Sequence, residues 1–82
     1  MPAMTQQIFK TFDVSEAAAI KTAGVQFVGV ETIDGKRFAF LFEPEDKARK
    51  ASELFWRHEL LQDPRQFSLA LRDLKDHIFR KR

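Results

Sequence analysis

The 82-residue chain has no cysteine and no tyrosine, three glycines, three prolines, two histidines and one tryptophan. Without cysteine there is no disulfide framework, no thiolate metal site and no thiol nucleophile, so a hydrophobic core has to stabilise the fold. The glycines stand alone at 24, 29 and 35 and form no phosphate-cradling loop. No segment approaches the roughly 18 apolar residues that cross a bilayer. The opening residues lack a basic stretch followed by an apolar run, so no signal peptide is expected. These absences point to a soluble, cytoplasmic protein. Charge of one sign is lacking too. Fourteen basic residues minus twelve acidic ones leave +2, and Arg80, Lys81 and Arg82 alone supply +3 of it. The remainder is eleven against twelve, a balance of −1, whereas neutralising many phosphates takes a basic face rather than a basic end.

What the chain does have is apolar residues. Hydrophobic content is 44%, including nine phenylalanines, which is enough for one core and unlike a disordered chain. The length fits a single domain, placed at residues 7–79, with 1–6 and 80–82 as flexible termini. Gln7–Phe12 reads as a weak strand with Phe9 and Thr11 on one side. Asp13 then heads an Ala-rich helix, with Glu16 in the reciprocal position of a capping box, Ser15 as a competing cap and Gly24 as the stop.

Asp34-Gly35 between two apolar runs predicts a two-residue type I′ hairpin. That turn pairs Ile33 with Lys36, Gly29 with Phe40 and Phe27 with Phe42. Phe38–Phe42 is apolar on both sides, which predicts a central strand covered on both faces. A central third strand requires the first strand on its free edge, hence a split β-α-β arrangement with sheet order 1-3-2. Two helices follow. The first has Pro44 in its first turn and a stripe of Ala48, Ala51 and Phe55; the second has Asp63 as cap and Pro64 as first residue. Its stripe is Phe67, Ala70, Leu71, Leu74 and Ile78. The expected fold is α+β: a three-stranded sheet, β-α-β-β-α-α, packed with three helices.

Chemistry is sparse. His58-Glu59 lacks the second histidine four residues on that a metalloprotease helix needs, since position 62 is Gln. His58 and His77 bring no third ligand, so no metal is expected. Asp73 and His77, four apart, could orient an imidazole, but such a pair is more often a helical surface contact. No nucleophile joins them, as Ser15, Ser52 and Ser68 fall in unrelated helical contexts. Neither an enzyme nor a cofactor site is expected. Trp56 and the off-stripe Leu69 and Phe79 are candidate partner-binding residues, because Trp is enriched at interface hot spots and misplaced apolar residues need covering. Arg80, Lys81 and Arg82 are the candidate nucleic-acid contacts; the alternative is a solvated tail beyond a helix C-terminus, where cations are favoured.

An Asp-headed Ala-rich helix ending in Gly, an apolar hairpin, an aromatic-Trp pair, a Glu-Leu segment and Asp-Pro leading into a Leu/Arg/Lys helix form one pattern. It runs here from about Phe12 to Phe79, most specifically over Phe55–Leu74. In it the chain resembles a family of small domains of unknown function found in bacterial and phage-borne proteins. The resemblance brings no activity with it. The family's pattern commonly has Asn-Gly after the Trp, where this chain has Arg57-His58. Because His tolerates the left-handed region better than most residues, "RHELLQDP" is expected to reverse the chain between two helices. The function suggested is a non-enzymatic interaction module acting on a protein partner or on a second copy of itself. A nucleic-acid-binding accessory protein is the alternative.

Overall fold

The computed structural model describes residues 7–35 and 37–81. The elements are β1 (Phe9–Thr11), α1 (Val14–Thr22), β2 (Gln26–Thr32), β3 (Phe38–Glu43), α2 (Glu45–Trp56) and α3 (Pro64–Lys81). The sheet has the order β1-β3-β2 with both pairings antiparallel, so β1 and β2 run parallel on either side of β3. The fold is α+β, as the residue pattern indicates.

Phe9 and Thr11 of β1 stand opposite Phe42 and Phe40, and Phe27 and Val30 of β2 stand opposite the same two residues. Directly paired residues share a face, so one side of the sheet carries Phe9, Thr11, Phe27, Val30, Phe38, Phe40 and Phe42. This is the core side. Phe40 and Phe42 are fully buried there with Ile20 and Leu74, alongside Ala17, Ala18, Ala48, Ala51 and Ala70. The small residues let α1 lie between its neighbours: it packs on β1, α2 and α3, and Glu16 through Ile20 are all buried.

Two expectations about the hairpin need correction. Ile33 N–H bonds to the Arg37 carbonyl at 2.9 Å, so three residues, not two, connect the strands, and Lys36 among them lies outside the described residues. Gly35 does not take the left-handed φ of a type I′ turn. Instead the Asp34 carboxylate accepts the Arg37 N–H at 3.0 Å, a side-chain closure of the turn. The longer connection shifts the register: Gly29 pairs with Leu41, and Val30 with Phe40. A bulge between Phe27 and Gly29 restores the Phe27–Phe42 pairing, and Gly29 there has φ 157°. The bulge keeps both Phe27 and Val30 on the core face, which a regular strand could not do.

The second correction concerns β3, which is central but covered by helices on one face only. Its other side, Ala39 and Leu41, lies outside the core cluster. Ala39 is nonetheless buried, because Lys10 on β1 and Glu31 on β2 form a 3.1 Å ion pair that crosses β3 beside it. Two edge-strand side chains, with the apolar stem of Lys10, take the place of a second helical layer. Pro44, expected in the first turn, is the extended N-cap residue that precedes α2. At the other end, α3 continues to Lys81, past Phe79 where the domain was expected to close.

Candidate functional site

The most concentrated polar constellation is built on Glu16. Asp13 caps α1 as expected, its carboxylate accepting the N–H groups of Ser15 and Glu16 at 2.8 and 3.0 Å. Glu16 does not complete the capping box, since the Asp13 N–H goes to the Thr11 hydroxyl at 3.2 Å. Its side chain turns inward instead and is only 7% exposed. One carboxylate oxygen accepts the Thr11 hydroxyl; the other accepts the Ser52 hydroxyl and, at 2.9 Å, the Trp56 indole N–H. A buried carboxylate demands such partners, and hydrogen bonds to a charged group contribute about 1.5–3 kcal/mol each. The group ties β1, α1 and α2 together at one point. Both oxygens and both hydroxyls are engaged with one another, so the cluster acts as a joint between elements.

Trp56 belongs half to this joint and half to the surface. Its N–H is inside, while the residue is 56% exposed and its ring meets Phe55 edge-on at 5.0 Å. Just beyond it, Arg57 ends α2 and His58 takes φ 61°. His58 N–H bonds to the Phe55 carbonyl and Glu59 N–H to that of Leu54, at 3.1 and 2.9 Å, the paired bonds of a Schellman ending. Gln62 then donates its amide to the Ala19 carbonyl at 2.6 Å, and Asp63 caps α3 by accepting the Arg65 N–H at 2.9 Å. The corner from Arg57 to Asp63 is therefore tied at its start, its middle and its end. On it sits Leu61, 96% exposed.

Residues 6–80 match the model of a domain of unknown function, DUF5659. The chain belongs to that family. No curated protein and no solved structure matches it. The DUF5659 match spans every element from β1 to the last turn of α3, so the Glu16 joint and the tied corner both lie within the family's extent.

Of the residues singled out from the sequence of this DUF5659 domain, Trp56, Leu69 and Phe79 are all exposed. Trp56 stands at the end of α2. Leu69 lies on the side of α3 turned away from the Phe67–Leu71–Leu74–Ile78 stripe, bordering a shallow groove with Lys21, Thr22 and Gln66, and Phe79 lies on the stripe's flank. Arg80 is exposed in the last helical turn; Arg82 and the side chain of Lys81 lie outside the described residues. The exposed side of α3 carries Arg65, Arg72, Lys75 and Arg80 together with Asp73 and Asp76. His77 sits edge-on to Phe27 at 5.1 Å with Nδ1 3.3 Å from the Asp73 carbonyl, and its link to Asp73 is thus to backbone rather than carboxylate. Among the described residues, no group of three His, Asp or Glu is placed to hold a metal ion. No helix among them is long and apolar enough to cross a membrane.

Two residues escaped the sequence reading. Glu16 looked like a capping residue, and only the tertiary contacts with Ser52 and Trp56 reveal its use. Leu61 left a readable signal: Leu60 and Leu61 are adjacent in a short tied corner, so both cannot face inward. Leu60 lines a groove with Gly24, Val25 and Leu54, which leaves Leu61 outside.

Proposed function

We propose that this domain is a non-enzymatic interaction module of the cytoplasm, and that the α2–α3 corner with Leu61 and Trp56 is the centre of its contact surface. One observation carries the reading. Leu61 is almost wholly exposed on a segment held by a Schellman ending, by the Gln62 bond to α1 and by the Asp63 cap. An apolar side chain on a pre-ordered segment loses little conformational entropy on binding and suits insertion into a partner's apolar pocket. Trp56 adjoins it in sequence, oriented by its bond to Glu16, and supplies the kind of aromatic anchor common at hot spots. Leu69 and Phe79 are secondary candidates on other faces.

The test uses the full chain as bait in its native host, compared with Leu61→Asp. The partner should co-purify with the wild type and be lost with Leu61→Asp at unchanged melting temperature. Size-exclusion chromatography with light scattering across a dilution series decides whether that partner is a second copy. Retention of every partner by Leu61→Asp would remove the corner from the interface. Catalytic turnover that depends on His58 or His77 in a folded variant would overturn the non-enzymatic reading.

A further inference from the structure

The start of β3 meets the beginning of α1 and the end of α3 in a cleft of about 270 Å³. Its lining is Phe12, Val14, Phe38, Phe40 and Ile78, with Arg37 as the one charged residue. Phe40 is fully buried and forms part of the wall on the core side, while Phe12 is 53% exposed. The Arg37 guanidinium rests over the Phe12 ring, 4.9 Å from its centroid. Its backbone is fixed on both sides, the N–H by Asp34 and the carbonyl by Ile33. Among the described residues this guanidinium makes no ion pair, and the Asp34 carboxylate holds the Arg37 backbone N–H.

We propose that this cleft binds a small amphipathic monocarboxylate, with its apolar body against Phe12, Phe38, Phe40 and Ile78 and its carboxylate on Arg37. The argument is charge complementarity. A guanidinium presents paired N–H donors in the plane that a carboxylate accepts, and the Phe12 ring beside Arg37 leaves its charge unneutralised. Aromatic and aliphatic walls with one fixed polar group are the ordinary composition of a small-ligand site. The volume is below the ~300–1,000 Å³ of drug-sized sites, which suits a body of roughly ten non-hydrogen atoms. A phosphate ester or nucleotide would bring more charge than one guanidinium answers, and a purely apolar ligand would leave Arg37 without its anionic partner. The site is independent of the corner, so each proposal can fail without the other.

The experiment titrates octanoate and, as the uncharged isostere, octanamide into the full chain, followed by two-dimensional NMR and calorimetry. Octanoate should saturate with a Kd of roughly 0.1–1 mM, the range a ligand of this size reaches. Shifts should be confined to residues around Val14, Arg37, Phe38 and Ile78. Octanamide should bind at least about tenfold more weakly, because charge-assisted bonds are roughly twice as strong as neutral ones. Arg37→Gln, an exposed position whose melting temperature should not change, should abolish the preference so that the two ligands bind alike. Arg37→Lys should recover part of it, since it restores the charge but not the planar fork. No saturable binding by octanoate, equal binding of octanoate and octanamide to the wild type, or shifts centred elsewhere would each overturn the proposal.

Discussion

The ends of α1 and α2 use the same backbone device and secure it differently. At α1 the Gly24 N–H bonds to the Lys21 carbonyl at 3.1 Å and the Val25 N–H to that of Ile20 at 3.4 Å; at α2 His58 and Glu59 make the corresponding bonds. Both turning residues have positive φ, 95° at Gly24 and 61° at His58. After Gly24 comes Val25, buried in the core cluster with Ile20, so apolar packing closes the first ending. After His58 comes Glu59, whose exposed ion pair with Arg57 at 3.4 Å contributes little. The second ending is held by polar ties instead: Ser52 and Trp56 to Glu16, and Gln62 to Ala19. Packing hides the residues it uses. Polar ties reach inward through single atoms and leave side-chain bulk outside, which is how Trp56 and Leu61 come to be displayed.

Cutting the polar ties is the strongest way to break this comparison. Glu16→Ala removes the acceptor shared by Thr11, Ser52 and Trp56 and leaves two buried hydroxyls without it, a loss of about 2–4 kcal/mol. Out of a total of ~4–12 kcal/mol for a domain of this size, that lowers the melting temperature by roughly 10–20 °C. Circular dichroism reads the loss, and Trp56 fluorescence should report a changed environment even where the fold persists. An unchanged melting curve would mean that the joint contributes nothing.

A smaller effect is expected at the packed ending. A Cβ on Gly24 would meet nothing within 4 Å, so Gly24→Ala isolates the conformational term. At φ 95° a side chain is strained beyond the usual left-handed well, and a loss of about 1–2 kcal/mol follows. Chemical denaturation measures it; a neutral result would show that the ending relaxes freely.

The smallest effect has the opposite sign and sharpens the contrast. His58→Gly relieves the left-handed strain of a non-glycine residue, offset in part by the greater freedom of glycine in the unfolded chain. A net gain of about 0.5 kcal/mol, a rise of a few degrees in melting temperature, is the expected outcome. A loss would mean that the His58 ring stabilises the corner, and polar ties would then include one more member.

Much of this was legible from local signals. Asp13, Gly24, Asp63 and Pro64 mark helix ends through bonds made within a few residues, and all four do in the structure what their types imply. The order β1-β3-β2 followed from the apolar run of β3, because a strand that cannot face water must have neighbours. The hairpin misled. Asp-Gly favours a two-residue turn, but Asp34 closes a longer one through its side chain, and the misplaced register is repaired at Gly29. Local propensity lost there to the requirement that Phe27 and Val30 both reach the core.

The residues by themselves determined where helices begin and stop, which strand is central, and that a cysteine-free chain rich in phenylalanine must rely on one core. Each of these rests on contacts close in sequence or on overall composition. Which way Glu16 turns, how Ala39 is covered by a Lys10–Glu31 bridge, and why Leu61 is left outside were decided only by tertiary structure. These depend on partners far apart in sequence, Glu16 with Ser52 and Trp56, Gln62 with Ala19, whose meeting is set by how three helices stack on one face of a sheet. A carboxylate at the third position of a helix suits a cap or a buried joint equally well by local rules. The donors that arrive from α2 decide between them.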